Sequence, residues 1–546
     1  MGLLQSAGTT VLAFAILISV IVFIHELGHL LVGKWLGVKA VRFSIGFGPR
    51  LWGFRWGETE YRVSLLPFGG YVKFAGDNPL EELPPADRGR GFLEQPPHRK
   101  AAIAVAGPAA NFVLAVALLF LLYAFPQVDI LAMVGSVKPG SPAAQAGLRY
   151  GDRIVAVDGK PVEGFSALQE MVGSRAGQST RFTVQRGKES LDTVVVPGSY
   201  DESDPIETVK RGRIGIMPTP FAAEISVAQG SPAERAGLRD FDRVVRLAGE
   251  PISNYEQLTE RVASLHGPVE IDVIRRAEVT APGATLWSEQ PLHALLDANG
   301  RESGLDLAHL TLFFVQPGSA AAEAGLRRGD RVVSINGAAV GWWLDDVERA
   351  VKAAGAEPFQ MTVRRGKELV TVTIRQHMRL ARNEAGVRAQ IPELGAGPDP
   401  AVRNVEPTFV SVHSSLPVAF ARSTSEIASM TRKMVLGLQR IVVGRISAEA
   451  ISGPLTIAEV ARKAADAGWK TFLWWMALIS LNLGVLNLVP IPVLDGFHVL
   501  SAAIEGIRRR PLSLRFREIA NLVGVALVLA LMLFALRNDA VRMFLD

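Results

Sequence analysis

His25, Glu26 and His29 have the types and spacing of a metal-activated hydrolytic site. The stretch His25-Glu26-Leu27-Gly28-His29 is an H-E-x-x-H pattern. Helical residues advance by about 100° each, so side chains four apart stand about 40° from one another on one face. Both imidazoles then reach one metal ion, zinc by donor type, and Glu26 is placed to take a proton from a metal-bound water. A catalytic zinc takes three protein ligands and keeps one position open. Far along the chain, the stretch Leu481 to Phe497 reads L-N-L-G-V-L-N-L-V-P-I-P-V-L-D-G-F, and it offers Asp495 as the third ligand, with His498 as the competing donor. Pro490 and Pro492 must break a helix there and leave backbone groups exposed.

The setting of these residues is apolar. A bilayer core of about 30 Å takes roughly 20 apolar residues in helix. Four segments qualify: Thr9 to Val32, interrupted only by His25, Glu26 and His29; Ala101 to Phe125; Thr471 to Val489, led by Trp469; and Ile519 to Leu536. Charged groups inside a span are costly and mark function. At about 1.5 Å per residue, His25 lies about 24 Å along the helix from Thr9, toward the far end of the first span. That span is read as retained rather than as a cleaved signal. No Lys or Arg precedes Lys34, and charged residues lie within it. The loop from Gly33 to Lys100 and the loop after the third span are rich in Lys and Arg, including Arg508, Arg509 and Arg510. Both are therefore expected in the cytoplasm, which leaves the long middle region on the other side.

The remaining composition excludes more than it selects. The chain has 546 residues, too many for one ordinary domain, and a net charge of +5. It has no cysteine, which removes disulfides and thiol chemistry. There is no basic stripe interleaved with aromatics, so nucleic acid is not an expected partner. Between the second and third spans a block recurs three times: GSPAAQAGLRYGDRIVAVDGKPV from Gly140, GSPAERAGLRDFDRVVRLAGEPI from Gly230 and GSAAAEAGLRRGDRVVSINGAAV from Gly318. Each block predicts a short helix capped by Ser and ended by Gly, then a strand closed by a Gly turn. A helix over Ser166 to Ser174 and strands over Gln178 to Arg186 and Ser190 to Val196 complete the first copy. The blocks resemble bacterial PDZ domains, in which an extended peptide adds to a sheet edge. The second copy departs, with Phe241-Asp242 where the others have Gly151-Asp152 and Gly329-Asp330.

The expected fold is a membrane protein: four transmembrane α-helices, a membrane-associated β-structure and three PDZ-like α+β modules outside the cytoplasm. The first span with its motif covers 1–33, a loop 34–100, and the second span 101–126. The modules cover 127–200, 210–297 and 300–380, and an amphipathic helical region 381–468. The third span covers 469–490, a loop 491–518, the fourth span 519–537 and a tail 538–546. Within the helical region, Ser423 to Val443 is amphipathic, which suits a place on the membrane surface, against the modules, or at a domain edge as an ordinary helix.

H-E-x-x-H in a first span, N-x-x-P-x-P-x-L-D-G in a late one and PDZ-like modules between them resemble the site-2 proteases, intramembrane zinc metalloproteases of the bacterial inner membrane. Gly69-Gly70-Tyr71-Val72-Lys73, Gly107-Pro108-Ala109-Ala110-Asn111-Phe112 and Ser452-Gly453-Pro454 extend the resemblance over the whole chain. It implies zinc held by His25, His29 and Asp495, with Glu26 as general base. It implies that Gly70, Tyr71, Val72 and Lys73 lie in a membrane-dipping β-structure that presents an unwound substrate. Asn487 and Asn482 would contact substrate near Pro490 and Pro492. The substrates implied are single-pass membrane proteins such as anti-sigma factors, and leftover signal peptides, with the modules as a size filter. The family pattern carries two such modules, and this chain has three. A non-catalytic PDZ-bearing scaffold is the alternative, and it leaves the four polar residues without a purpose. An ion-coupled transporter is disfavoured because the spans show no repeat symmetry.

Overall fold

The computed structural model describes residues 2–78, 83–203, 206–281, 284–300, 302–382, 388–399 and 405–544. The chain forms two compact units, Met1–Gln127 with His413–Asp546, and Val128–Val412.

Four helices among the described residues of the first unit are long and apolar enough to cross a membrane: Gly8–Trp35, Pro97–Ala124, Trp469–Asn487 and Arg515–Arg542. They lie in α1 (Gly2–Trp35), α2 (Pro97–Ala124), α5 (Trp469–Asn487) and α7 (Leu514–Phe544). α2 starts four residues before the apolar run because Pro97 suits a first helical turn, where its missing N–H is not needed. α5 stops at Asn487, ahead of Pro490 and Pro492, whose rings disfavour helix in the residues before them. β1 (Ala40–Trp56) and β2 (Thr59–Phe74) pair antiparallel with repeated register shifts. The hairpin packs Phe43 and Val72 against Phe23 and Leu27 of α1.

α3 (Leu416–Val442) begins seven residues before the amphipathic stretch expected at Ser423. Its apolar face packs on two of the spans. Ile427, Met430 and Met434 pack with Ala115, Leu119 and Leu122 of α2 and with Leu481 of α5. α4 (Pro454–Asp466) sets Ala461 against Ala13, Leu17 and Ile21 of α1. Asp539 of α7, fully buried, closes the start of α4. Its carboxylate accepts the N–H of Gly453, Leu455 and Thr456 and the Thr456 hydroxyl, at 2.6–3.1 Å. Gly453 is required there, since a Cβ would lie 2.5 Å from Asp539 Oδ2. α6 (Asp495–Arg508) completes the unit.

The second unit holds the three repeats. The first has a sheet in the order Lys160–Pro161, Arg153–Val157, Thr180–Arg186, Glu189–Val195, with a helix at Phe165–Gly173. The other two have the same strand order. Ser141, Ser231 and Ser319 each accept the backbone N–H three residues on, as N-caps do. Asp152, Asp242 and Asp330 are each gripped by both arms of one Arg: Arg186, Arg275 and Arg365 respectively.

The expected module ends at 200, 297 and 380 fall short. Ile216–Met217 pairs with Ser136–Val137, Leu305–Leu307 with Ile225–Val227, and Ala396–Gly397 with Phe314–Val315. Each copy thus closes with a strand of two or three residues beyond a hairpin or a long strand, too short to show a periodicity. The departure at Phe241 also has a cause. Phe241 keeps the left-handed backbone that Gly supplies in the other copies, with φ of 70°. Its ring packs edge-to-face on Phe313 at 5.0 Å, and the Arg328 guanidinium lies over both rings. The packing offsets a conformational cost of about 1–2 kcal/mol and ties the second copy to the third.

His309 makes a second tie. Its Nε2–H donates to the Gly341 carbonyl at 2.9 Å and its ring lies 4.7 Å from that of Phe221. Burial pushes its pKa down to about 4. The folded unit therefore excludes a proton that the unfolded chain binds below about pH 6.5, so stability is full above that pH and falls as pH drops toward 4. Thermal unfolding of the second unit should lose about 3 kcal/mol across that window, and His309→Gln should flatten the slope while keeping a donor for Gly341.

Candidate metal centre and active site

His25 and His29 sit one turn apart on α1, both buried. Asp495 is the first residue of α6, where the helix dipole favours a carboxylate. Among the described residues these three form the one group able to hold a metal ion, with ligand atoms all within 4.8 Å of one another. His25 Nε2 is 3.1 Å from Asp495 Oδ2, His29 Nε2 is 3.4 Å from Oδ1, and the two Nε2 atoms are 3.2 Å apart. The far ring atoms are held by α2. His29 Nδ1–H donates to the Ile103 carbonyl at 2.7 Å, and His25 Nδ1 lies 3.2 Å from Asn111 Nδ2.

The helices approach this closely because of glycine. A Cβ at Gly28 would lie 2.3 Å from the Ala106 carbonyl oxygen, and one at Gly107 would lie 2.2 Å from His29 Nε2. At the other segment, a Cβ at Gly496 would lie 2.3 Å from the Leu488 carbonyl and one at Gly524 would lie 2.3 Å from that of Pro492. The loop between α5 and α6 is thereby pressed against α7. Two imidazoles and a carboxylate, converging with a gap between them, fit zinc in donor type and number.

Glu26 points into the same space and accepts the Val72 N–H at 3.0 Å. A cavity of about 550 Å³ joins His25, Glu26, His29 and Asp495 to Tyr71, Val72, Asn487 and His498. Asn487 Nδ2 is 3.3 Å from His25 Nε2. Gly70 lies against Glu26, where a Cβ would meet Glu26 Cγ at 3.3 Å and the Ser44 carbonyl oxygen at 2.8 Å. Tyr71 stacks on Phe47 and accepts from Arg62. Asn482, Pro490, Pro492, Gly70 and Lys73 do not line the cavity. Asn482 is five residues before Asn487 on α5, about 140° round the helix. His498 lines the cavity with its ring 6.4 Å from that of Phe92, and it is outside the ligand group.

The sequence reading gave no role to Ile103, Asn111, Lys100 or Glu505. Glu505, buried at the wall of the cavity, takes Lys100 Nζ at 2.5 Å, Arg517 Nη2 at 2.5 Å and the Leu512 N–H at 3.1 Å. The spacing from Gly107 to Asn111, one helical turn, was the available signal for the face of α2 that meets α1.

Residues 13–531 match the model of peptidase family M50. The chain belongs to peptidase family M50. It is 31% identical to "Putative zinc metalloprotease RSc1411" of Ralstonia nicotianae, over 98% of this chain and 99% of that protein. It is 28% identical to "Regulator of sigma-E protease RseP" of Salmonella typhimurium, over 97% of this chain and 98% of that protein.

Removing one partner of a buried ion pair strands the others. Glu505→Ala should lower stability in detergent by about 3–5 kcal/mol. The double variant Glu505→Ala/Lys100→Met should recover part of that loss in a denaturant titration.

Proposed function

We propose that this chain is a zinc metalloendopeptidase that cuts peptide bonds of other membrane proteins within the bilayer. The observation that carries the reading is the convergence of His25, His29 and Asp495 from two distant segments, with a carboxylate beside them on an apolar helix. His25, His29 and Asp495 would hold the zinc. When bound, zinc supplies Lewis acidity, polarising a carbonyl and acidifying water at the site.

The chain's own groups do the rest. Glu26 takes a proton from the attacking water and delivers it to the leaving amine. Val72 N–H, donating to Glu26, fixes the direction in which that carboxylate faces. Asn487 offers an amide donor to the substrate backbone inside the cavity. A substrate helix hides its peptide bonds in its own hydrogen bonds and must open locally, so helix-destabilising residues favour cleavage. The β2 stretch Gly70-Tyr71-Val72-Lys73 and the non-helical segment around Pro490 and Pro492 flank the place where an opened strand would lie.

The family resemblance supports a multi-pass protein of a bacterial inner membrane, and the positive loops support their own cytoplasmic orientation. The three modules are then periplasmic and the site lies near the cytoplasmic face, with lipid around the spans. In this reading the substrates are single-pass proteins of the anti-sigma factor kind and remnant signal peptides. The PDZ-like modules act as a size filter that admits trimmed substrates and can take peptide ligands of their own.

In a reconstituted assay with a single-pass substrate, Glu26→Gln should cut at least about a hundredfold more slowly and still bind zinc. Asp495→Ala should lose the zinc. Wild-type turnover by Glu26→Gln would remove Glu26 from its role. A zinc-free wild-type protein would favour the scaffold reading.

A further inference from the structure

The far side of the two imidazoles carries an asymmetry that the ligand set does not explain. His29 Nδ1 faces the Ile103 carbonyl at 2.7 Å. A carbonyl can only accept, so His29 carries its proton on Nδ1 and turns an Nε2 lone pair toward Asp495. His25 Nδ1 instead faces Asn111 Nδ2 at 3.2 Å. An amide nitrogen can only donate, so Nδ1 must accept in this arrangement, yet His25 Nε2 faces a second amide nitrogen, Asn487 Nδ2, at 3.3 Å as well as Asp495 Oδ2 at 3.1 Å. A neutral imidazole cannot accept at both nitrogens, and a proton placed on Nε2 to suit Asn111 would bar a metal from that atom.

Asn111 is fully buried in α2, and its Oδ1 has no hydrogen-bond partner. Its backbone is fixed from the other side, where the Ser480 hydroxyl of α5 donates to the Asn111 carbonyl at 3.0 Å. A half-turn of the side-chain amide exchanges Oδ1 and Nδ2 without moving the backbone. Oδ1 then accepts from His25 Nδ1–H, and His25 presents a second Nε2 lone pair alongside that of His29. One rotation gives the orphaned oxygen a donor and completes the ligand set.

We propose that Asn111 is a positioning residue that selects the metal-binding tautomer of His25. It does for His25 what the Ile103 carbonyl does for His29, but through an amide that can present either atom. The proposal rests on His25 being a zinc ligand, and the experiment separates the two.

Zinc affinity is measured on the purified full-length protein in detergent, by competition with a chelating dye. Asn111→Leu keeps the volume and removes the acceptor. It should weaken zinc binding about 10–100-fold, the usual effect of losing a group that orients a ligand. Asn111→Asp offers only acceptors and should bind within a few-fold of wild type. With cobalt(II) in place of zinc, the visible spectrum should change in Asn111→Leu and be kept in Asn111→Asp. Unchanged affinity in Asn111→Leu overturns the proposal. Equal weakening in both variants does so too, because it marks a merely structural role. His25→Ala in the same titration tells the failures apart. If it binds zinc as wild type does, the ligand assignment fails. If it loses zinc while Asn111→Leu does not, only the role of Asn111 fails.

Discussion

The close contact between α1 and α2 is the constraint on which the candidate site depends. Two imidazoles and a carboxylate on an apolar helix need polar partners that a lipid environment does not supply. The carboxylate finds the Val72 N–H of β2, while the partners of the imidazoles come from α2, which reaches them because Gly28 and Gly107 leave no side chain in the way. The Ile103 carbonyl meets His29 Nδ1–H at 2.7 Å because a carbonyl oxygen has two lone pairs and can accept a side-chain donor beside its helical one. A methyl group at Gly28 or Gly107 would push the helices apart by more than a hydrogen bond tolerates. The third ligand depends on the same device elsewhere, with Gly496 and Gly524 letting the proline-broken loop set Asp495 at the start of α6.

The spans and the H-E-x-x-H and L-D-G signals were legible because they are local. Apolar length gives a span, and a four-residue spacing gives a shared helical face. That Asp495 meets His25 and His29 was a matter of ligand counting, and the geometry now brings the three together. Other parts needed tertiary information. The closing strands of the modules are two or three residues long and carry no alternation to read. α3 had a recognisable apolar face, yet nothing in its pattern says that the face meets other helices instead of lipid headgroups. Asn111 was visible only as one letter of a matching stretch. Asp539, in what reads as a short tail, gives no sequence sign that it caps a helix more than 80 residues earlier.

The three modules show what repetition holds constant. Gly215, Gly304 and Gly395 all take a positive φ, and a Cβ at any of them would lie within 2.4 Å of the serine that caps the first helix of its copy. The bidentate Asp–Arg pair is kept in all three, even where the preceding Gly has become Phe241. The departure at Phe241 is a contact between copies, with an aromatic ring replacing conformational ease.

The buried carboxylate of Asp539 has one more consequence. α7 is mostly exposed along its length, so in a membrane its depth would ordinarily be set by the surrounding lipid. Here its end is pinned to the first turn of α4, and α4 in turn lies on α1, the helix that carries His25 and His29. The fourth span cannot slide along its axis to suit a thicker or thinner bilayer. Hydrophobic mismatch must instead be met by the lipid or by tilt of the helical unit as a whole. The depth of the polar site relative to α7 is thereby a property of the protein, independent of the bilayer that surrounds it.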